Sequence, residues 1–286
     1  MIKDEVNSFV EMQQAMGFKF RVQNTLLQHF ARFAEQKGET IVRTESVIKW
    51  AGMAPSVVQK RNRLLTVRRF ALAVQSENDQ YEIPPADVFG HECAKRKIRH
   101  LFSSEDIRGL LVAASQLKPK GTIRPITYTT LFALLSSTGL RSCEAIRLNI
   151  DDLTIDGLMI RATKFRKDRL VPIHSSTRQA LKEYLNKRKQ CSALESAFFV
   201  SNNGSRLTYS TIISIYLQLM RHIGLRTKIG IPGPCLHDLR HSFAVRSLEQ
   251  CGGTRIEISR QITALSTYMG HAHVSDTYWY LQSTPY

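Results

Sequence analysis

LTIDGLMIRATKFRKDRLVPIH, residues 153–174, carries the chain's one clear departure from helical patterning. Apolar and polar side chains alternate through LTIDGLMIRAT and again through RLVPIH, Asp156-Gly157 is a turn signal, and KFRKD stands between the two segments. Period-two alternation with such a dipeptide predicts short antiparallel strands. From Ser176 onward the pattern returns to helical periodicity, and the stretch before residue 153 is helical too. The sequence therefore predicts a mainly α protein with one small antiparallel β-sheet.

Working outward, Val6, Phe9, Val10 and Met16 keep an amphipathic helical period, and Leu26, Leu27, Phe30 and Phe33 do so up to Gly38. Thr44 or Ser46 can cap a third helix through Val47, Ile48 and Trp50, and Pro55-Ser56 opens a fourth. SENDQYEIPPADVFGHE, residues 76–92, collects turn formers and a Pro-Pro pair, which sets a boundary between there and about residue 102. Beyond it, Ser103 or Ser104 with Glu105 and Asp106 caps SSEDIRGLLVAAS, and ITYTTLFALLSSTG ends at Gly139. The predicted organisation is a helical domain over 1–90, a basic linker over 91–102 and a second domain over 103–286.

A length of 286 residues suits two domains at roughly 100–200 residues each. The 43% apolar fraction can supply buried cores. No apolar run approaches the ~18 residues that cross a bilayer, and MIKDEVNSF lacks the apolar region of an export signal, so a cytoplasmic protein without a membrane partner is expected. Cys93, Cys143, Cys191, Cys235 and Cys251 are odd in number and form no CxxC pair, which reads as reduced thiols. The nine histidines show no zinc-ligand spacing, so no metal is expected.

Forty Lys+Arg against 24 Asp+Glu give a net charge of +16, the footprint of a partner with a phosphate backbone. The excess is concentrated twice. SVVQKRNRLLTVRRF, residues 56–70, holds five bases and no acid; Val57, Val58, Leu64, Leu65 and Val67 form an apolar stripe that leaves Lys60, Arg61, Arg63, Arg68 and Arg69 outside it. KRKIRH, residues 95–100, adds Lys95, Arg96, Lys97 and Arg99. One such run reads as a solvated face; two in a chain this basic favour a nucleic acid, and charge alone does not name the reaction.

Three fragments carry chemistry. STGLRSCEAIRL (137–148) puts an arginine two positions after a glycine that ends a helix, with Glu144 three positions on. HDLRHSFAVRSL (237–248) places His237 and Arg240 on one helix face. YMGHAHVSDTYWYLQ (268–282) has His271 nine positions before Tyr280. In order and spacing this set resembles the tyrosine site-specific recombinases, the lambda-integrase and Xer-like family: an arginine box, an H-x-L-R-H box, a G-H box and a T-x-x-Y box. KFRKDRLVPI also looks like that family's K-x-x-K-x-R-x-V-P stretch. The motif resemblance spans about residues 104–280. The N-terminal part is similar to the family's helical, SAM-like core-binding domain in length, helix number and charge.

The resemblance implies strand breakage and rejoining in double-stranded DNA through a 3′-phosphotyrosine, with no cofactor and no metal. Arg141 and Arg240 would clamp the non-bridging phosphate oxygens with guanidinium forks. Tyr280 would attack the phosphorus, Lys164 would protonate the leaving 5′-oxygen, and His237 and His271 would bond the phosphate or exchange a proton with the tyrosine. Glu144 would hold the scaffold, and His241 reads as a partly buried histidine close to the phosphate. His273 reads as structural. Arg166, Lys167 and Arg169 compete with Lys164, and Tyr268, Tyr278 and Tyr286 compete with Tyr280.

Three departures from the family pattern stand out: Cys143 in place of a small Ser or Gly, Leu281 in place of a polar residue, and only six residues after Tyr280. The last puts a cyclic exchange of C-terminal tails in doubt, and other contacts or partner proteins are expected to hold the protomers. The expected assembly is a homo-tetramer on paired sites, with an accessory recombinase or DNA-bending proteins as further partners. Two other readings belong beside it: a non-catalytic DNA-binding accessory protein of the same fold, and a topoisomerase of the type IB kind.

Overall fold

The computed structural model describes residues 2–90, 99–161, 168–190, 196–227, 229–250 and 254–281. The chain divides into two compact units, Met1–Arg96 and Lys97–Tyr286.

The first unit holds α1 (Ile2–Ala15), α2 (Arg21–Glu35), α3 (Thr44–Gly52) and α4 (Val57–Gln75). Their apolar faces close on a core that includes Phe9, Leu27, Phe30, Trp50, Leu64, Val67 and Phe70, with Phe9 edge-on to Phe70 at 5.6 Å and Phe30 edge-on to Trp50 at 5.4 Å. Met16, expected in the first helix's seam, lies past its end and is exposed. The cap of α3 also differs from expectation. Arg43 holds the N-cap position, and the Thr44 backbone N–H donates to Glu82 Oε2 at 2.7 Å, so the capping carboxylate comes from a remote loop. Ser56 caps α4 as its position predicts, accepting from the Gln59 N–H.

The apolar stripe expected on α4 is corrected in detail. Its buried seam starts at Leu64 and continues through Val67, Phe70, Ala71 and Val74, whereas Val57, Val58 and Leu65 are exposed. Leu65 lies about 100° round the helix from Leu64, off the face that meets the core. Val57 and Val58 stand in the first turn, ahead of that seam.

The second unit contains α5 (Ser104–Ser115), α6 (Arg124–Thr138), α7 (Ser142–Arg147), a 3₁₀ turn (Ile150–Asp152), β1 (Leu158–Ile160), β2 (Arg169–Val171), α8 (Ser175–Arg188), α9 (Tyr209–His222), α10 (Leu236–Glu249), α11 (Arg255–Met269) and α12 (Ser275–Leu281). Buried α6 packs against α5, α8 and α10, and its Leu131, Phe132 and Leu135 share a core with Tyr184, Phe198, Phe199, Tyr216 and Leu239. A smaller cluster joins α10, α11 and α12 through Val245, Leu248, Leu265, Met269 and Tyr280. Ser103 and Asp106 form the capping box that the sequence predicts at α5.

β1 and β2 are antiparallel, pairing Leu158 with Val171 and Ile160 with Arg169. Asp156-Gly157 does not join them. It folds Leu153 back onto Leu158, one step before the hairpin. The expected uninterrupted helical pattern after Ser176 also fails locally: within 196–208, Ala197 bridges Asn149 and Val200 bridges Arg206. There the adjacent Phe198 and Phe199 are both fully buried, so the backbone runs extended to fill the core from two sides. No helix among the described residues is long and apolar enough to cross a membrane.

Candidate active site

The site is assembled where three helix ends meet. Gly139 terminates α6 with φ 61°, a conformation glycine adopts without strain, and a Cβ there would lie 2.4 Å from the Phe243 ring. The chain then turns into α7, with Arg141 at its N-cap. The Arg-x-x-Glu spacing is a capping device. Glu144 Oε2 accepts from the Arg141 backbone N–H at 3.0 Å, and Oε1 accepts from its guanidinium, also at 3.0 Å. Glu144 is buried, and Arg169 of β2 grips its two oxygens at 3.0 and 2.9 Å. Burial acts to raise the Glu144 pKa, but the Arg169 hydrogen bonds and charge, with help from Arg141, hold it below the usual carboxylate range.

α10 contributes Arg240, which is only 3% exposed. Its guanidinium donates to Gly139 O at 2.7 Å and to Met269 O at 2.9 Å, meets His271 Nε2 at 3.0 Å, and feels the nearby Tyr280 electrostatically. Burial, and then the Arg141 charge, lower its pKa to about 10, so it stays cationic at neutral pH. Arg141 reaches the same carbonyl of Met269 at a longer 3.5 Å and Gly270 O at 3.3 Å, while Arg169 Nε donates to Tyr268 O at 3.0 Å. Three successive carbonyls at the end of α11 thus hold three arginines, where helix carbonyls lack intrahelical partners and carry partial negative charge.

Gly270 closes α11 at φ 66°, and the His271 N–H returns to Ser266 O. His271 lies between Arg240 on Nε2 and the Thr277 hydroxyl on Nδ1, 2.8 Å away. A guanidinium only donates, so Nε2 accepts and the imidazole proton resides on Nδ1, donating to Thr277. Burial, then the Arg240 and Arg141 charges, push the His271 pKa down to about 4, consistent with a neutral ring. One turn beyond Thr277, the 5%-exposed Tyr280 stacks on His271 at 5.9 Å and lies 5.1 Å from the His241 ring. Burial keeps the His241 pKa below the ordinary value.

Of the predicted residues, Arg141, Glu144, Arg240, His241, His271 and Tyr280 form one connected cluster. His237 projects from the first turn of α10, exposed at the surface; its packed flank and then the Arg240 charge lower its pKa. Tyr268 faces elsewhere, donating to Pro172 O at 3.4 Å with its pKa pushed up by burial to about 12, and Tyr278 is exposed. Lys164, Arg166, Lys167, Lys95, Arg96, Lys97 and Tyr286 lie outside the described residues. Arg99 sits at the start of α10, 3.5 Å from both Asp238 Oδ1 and Cys235 Sγ. On α4, Arg69 is exposed, and Lys60, Arg61, Arg63 and Arg68 are partly so. Arg63 lies over Trp50 and donates to its carbonyl, and Arg68 donates to Pro84 O. Sequence reasoning weighed Arg169 only as a rival to Lys164 and gave Thr277 no role. The T-x-x-Y spacing was the available signal for Thr277; the carbonyls of 268–270 have none, because backbone acceptors leave no side-chain signature.

The phage integrase family profile matches residues 101–285. The chain is 39% identical to "Putative integrase/recombinase y4rB" of Sinorhizobium fredii, over 99% of this chain and 93% of that one. It is 29% identical to the tyrosine recombinase XerC of Thermodesulfovibrio yellowstonii, over 88% and 80%. In fold it is similar to XerH site-specific recombinase bound to a palindromic difH substrate in a post-cleavage complex, at TM-score 0.67 and 20% identity over 90% and 74% of the two chains. It is likewise similar to a lambda integrase tetramer bound to a Holliday junction, at TM-score 0.67 and 15% identity over 96% and 76%.

Proposed function

This chain belongs to the phage integrase family and is a tyrosine recombinase; from that premise we propose that Tyr280 cuts DNA while Arg141 and Arg240 hold the scissile phosphate. The observation that carries the reading is the meeting of both guanidinium groups on the Met269 carbonyl, with Arg240 paired to His271 and the Tyr280 ring stacked on that imidazole.

The steps follow from that arrangement. Arg141 and Arg240 pair with the two non-bridging oxygens, where a planar fork matches the phosphate and stabilises charge that grows in the pentacovalent transition state. The Tyr280 oxygen attacks phosphorus, the P–O5′ bond breaks, and the phosphoryl group remains on the enzyme as a 3′-phosphotyrosine. The phenol loses its proton in the process; His237, exposed and with its pKa lowered, is a base or phosphate hydrogen-bond donor, and His271 takes either role only by releasing its bond to Arg240 or to Thr277. Lys164 gives its proton to the departing 5′-oxygen. A 5′-hydroxyl from a second strand then attacks the phosphotyrosine, so bonds are exchanged without net hydrolysis.

DNA contact follows from the charge of +16, with Lys60, Arg61, Arg69 and Arg99 as phosphate-contacting candidates. The similar solved complexes, XerH on difH and tetrameric lambda integrase on a Holliday junction, support DNA as the substrate and a tetramer on two sites as the working form.

The decisive test is a nicked suicide duplex carrying the site that footprinting locates for this protein. The wild type forms an SDS-stable adduct, and Tyr280→Phe binds the duplex without forming one. An adduct from the Phe variant overturns the nucleophile assignment.

A further inference from the structure

We propose that Arg169 is a positioning residue that leaves the Arg141 charge uncompensated toward the phosphate by occupying both oxygens of Glu144. This rests on the reading of Arg141 as a phosphate ligand and extends it to a side chain that touches no substrate.

The argument begins with a charge count. Arg141 and Arg169 are two cations around one buried carboxylate. Arg169 takes the bidentate pair, at 3.0 and 2.9 Å, while Arg141 Nη1 shares Oε1 at 3.0 Å. The trio is therefore net positive. Without Arg169, Arg141 and Glu144 form a neutral pair, and the buried carboxylate holds the guanidinium that the phosphate needs. Arg169 leads the groups that keep Glu144 ionised against burial, ahead of Arg141.

Arg169 is itself fixed. Its third nitrogen donates to Tyr268 O at 3.0 Å, and its side chain is 13% exposed. All three nitrogens donate inward, so it is no rival to Lys164 as an acid. The turn before His271 is shaped around it: a Cβ at Gly270 would come within 2.7 Å of Arg169 Nη1. One side chain thus ties β2 to the carboxylate of α7 and to the Tyr268 carbonyl at the end of α11. A hydrophobic tie could do as much for packing, but only a second cation offsets Glu144.

The test is single-turnover adduct formation on the nicked suicide duplex, with DNA affinity and thermal melting measured beside it. Arg169→Met is expected to slow cleavage by about 10²-fold, the loss typical of one misplaced transition-state donor, with affinity changed less than about threefold. Adding Glu144→Gln to Arg169→Met removes the unbalanced carboxylate and is expected to recover about tenfold, a sign of coupling that a purely structural tie does not produce. Arg169→Lys, with charge but no fork, falls between; where Arg169→Met does not fold, Arg169→Lys with and without Glu144→Gln reads the same coupling. Arg169→Met at the wild-type rate, or a double variant no faster than the single, overturns the inference alone. A wild type that binds the duplex yet forms no adduct overturns the reading of the site and this inference with it.

Discussion

On α4, five basic residues lie within ten positions, partly or fully exposed, and two of them do structural work: Arg63 covers Trp50 and Arg68 ties a loop carbonyl. In the second unit, Arg141, Arg169 and Arg240 come from elements far apart in sequence, and each is committed to backbone carbonyls of 268–270. The contrast lies in what fixes the charge. An exposed cation keeps its water and binds a polyanion mainly through counterion release. A buried one has given up water for fixed acceptors, so little reorganisation remains when a phosphate arrives. Density of charge marks the first region, and geometry the second.

The widest split between the regions is expected from Arg240→Met. It removes a charge that meets Gly139 O, Met269 O, His271 and Tyr280 together. Cleavage should fall by about 10³-fold, at the upper end for one oxyanion donor, while DNA affinity changes by less than about fivefold. A variant that loses affinity in step with rate would place Arg240 with the α4 cations and erase the distinction.

What was legible followed the same divide. Helical spacing put His237 on the face of Arg240, whereas Arg141 with Glu144 was legible only through the resemblance of the whole set of boxes. Period-two alternation gave the hairpin, with KFRKD between its two strands, while the Asp156-Gly157 signal marks a separate reversal before β1. The extended backbone around Phe198 and Phe199 was hidden because two consecutive buried aromatics suit either a strand or a buried helix. On α4, composition located the positive charge but not which arginines the fold had already used; an arginine over a tryptophan depends on a partner thirteen residues away on another helix. Glu82, capping α3 from 38 residues downstream, escaped for the same reason.

A smaller effect probes how the buried set is held. Thr277→Val takes the acceptor from His271 Nδ1–H and leaves an unsatisfied donor, a cost of about 1–3 kcal/mol. At about 1.4 kcal/mol per tenfold, cleavage is expected to slow between about fivefold and about 140-fold, with Thr277→Ser restoring it. Nitrogen chemical shifts of His271 report the proton on Nδ1 in the wild type. The pH dependence has a definite sign. The folded pKa of His271, about 4, is below its unfolded value near 6.5, so the unfolded chain takes up the proton first. The stability tied to the neutral ring is complete above about pH 6.5 and declines as pH falls toward 4. A wild-type protonation midpoint for His271 near 6.5 in an NMR titration breaks the account of a neutral, pre-set imidazole.

The finest distinction lies within α4. Arg63→Ala removes a cation 5.0 Å from the Trp50 ring centroid and a hydrogen bond to its carbonyl at 3.2 Å. Together these contribute about 1–2 kcal/mol, so the first unit should melt at lower urea while the salt dependence of DNA binding changes little. Arg69 is exposed on the same helix. Arg69→Ala should leave the melt within about 0.5 kcal/mol and reduce the slope of log affinity against log salt by about 0.9, one phosphate contact. Two arginines six positions apart would then separate cleanly into a stability residue and a polyanion contact. Equal slopes for both variants would mean that burial on α4 does not decide which cation meets DNA, and that the helix acts through its total charge alone.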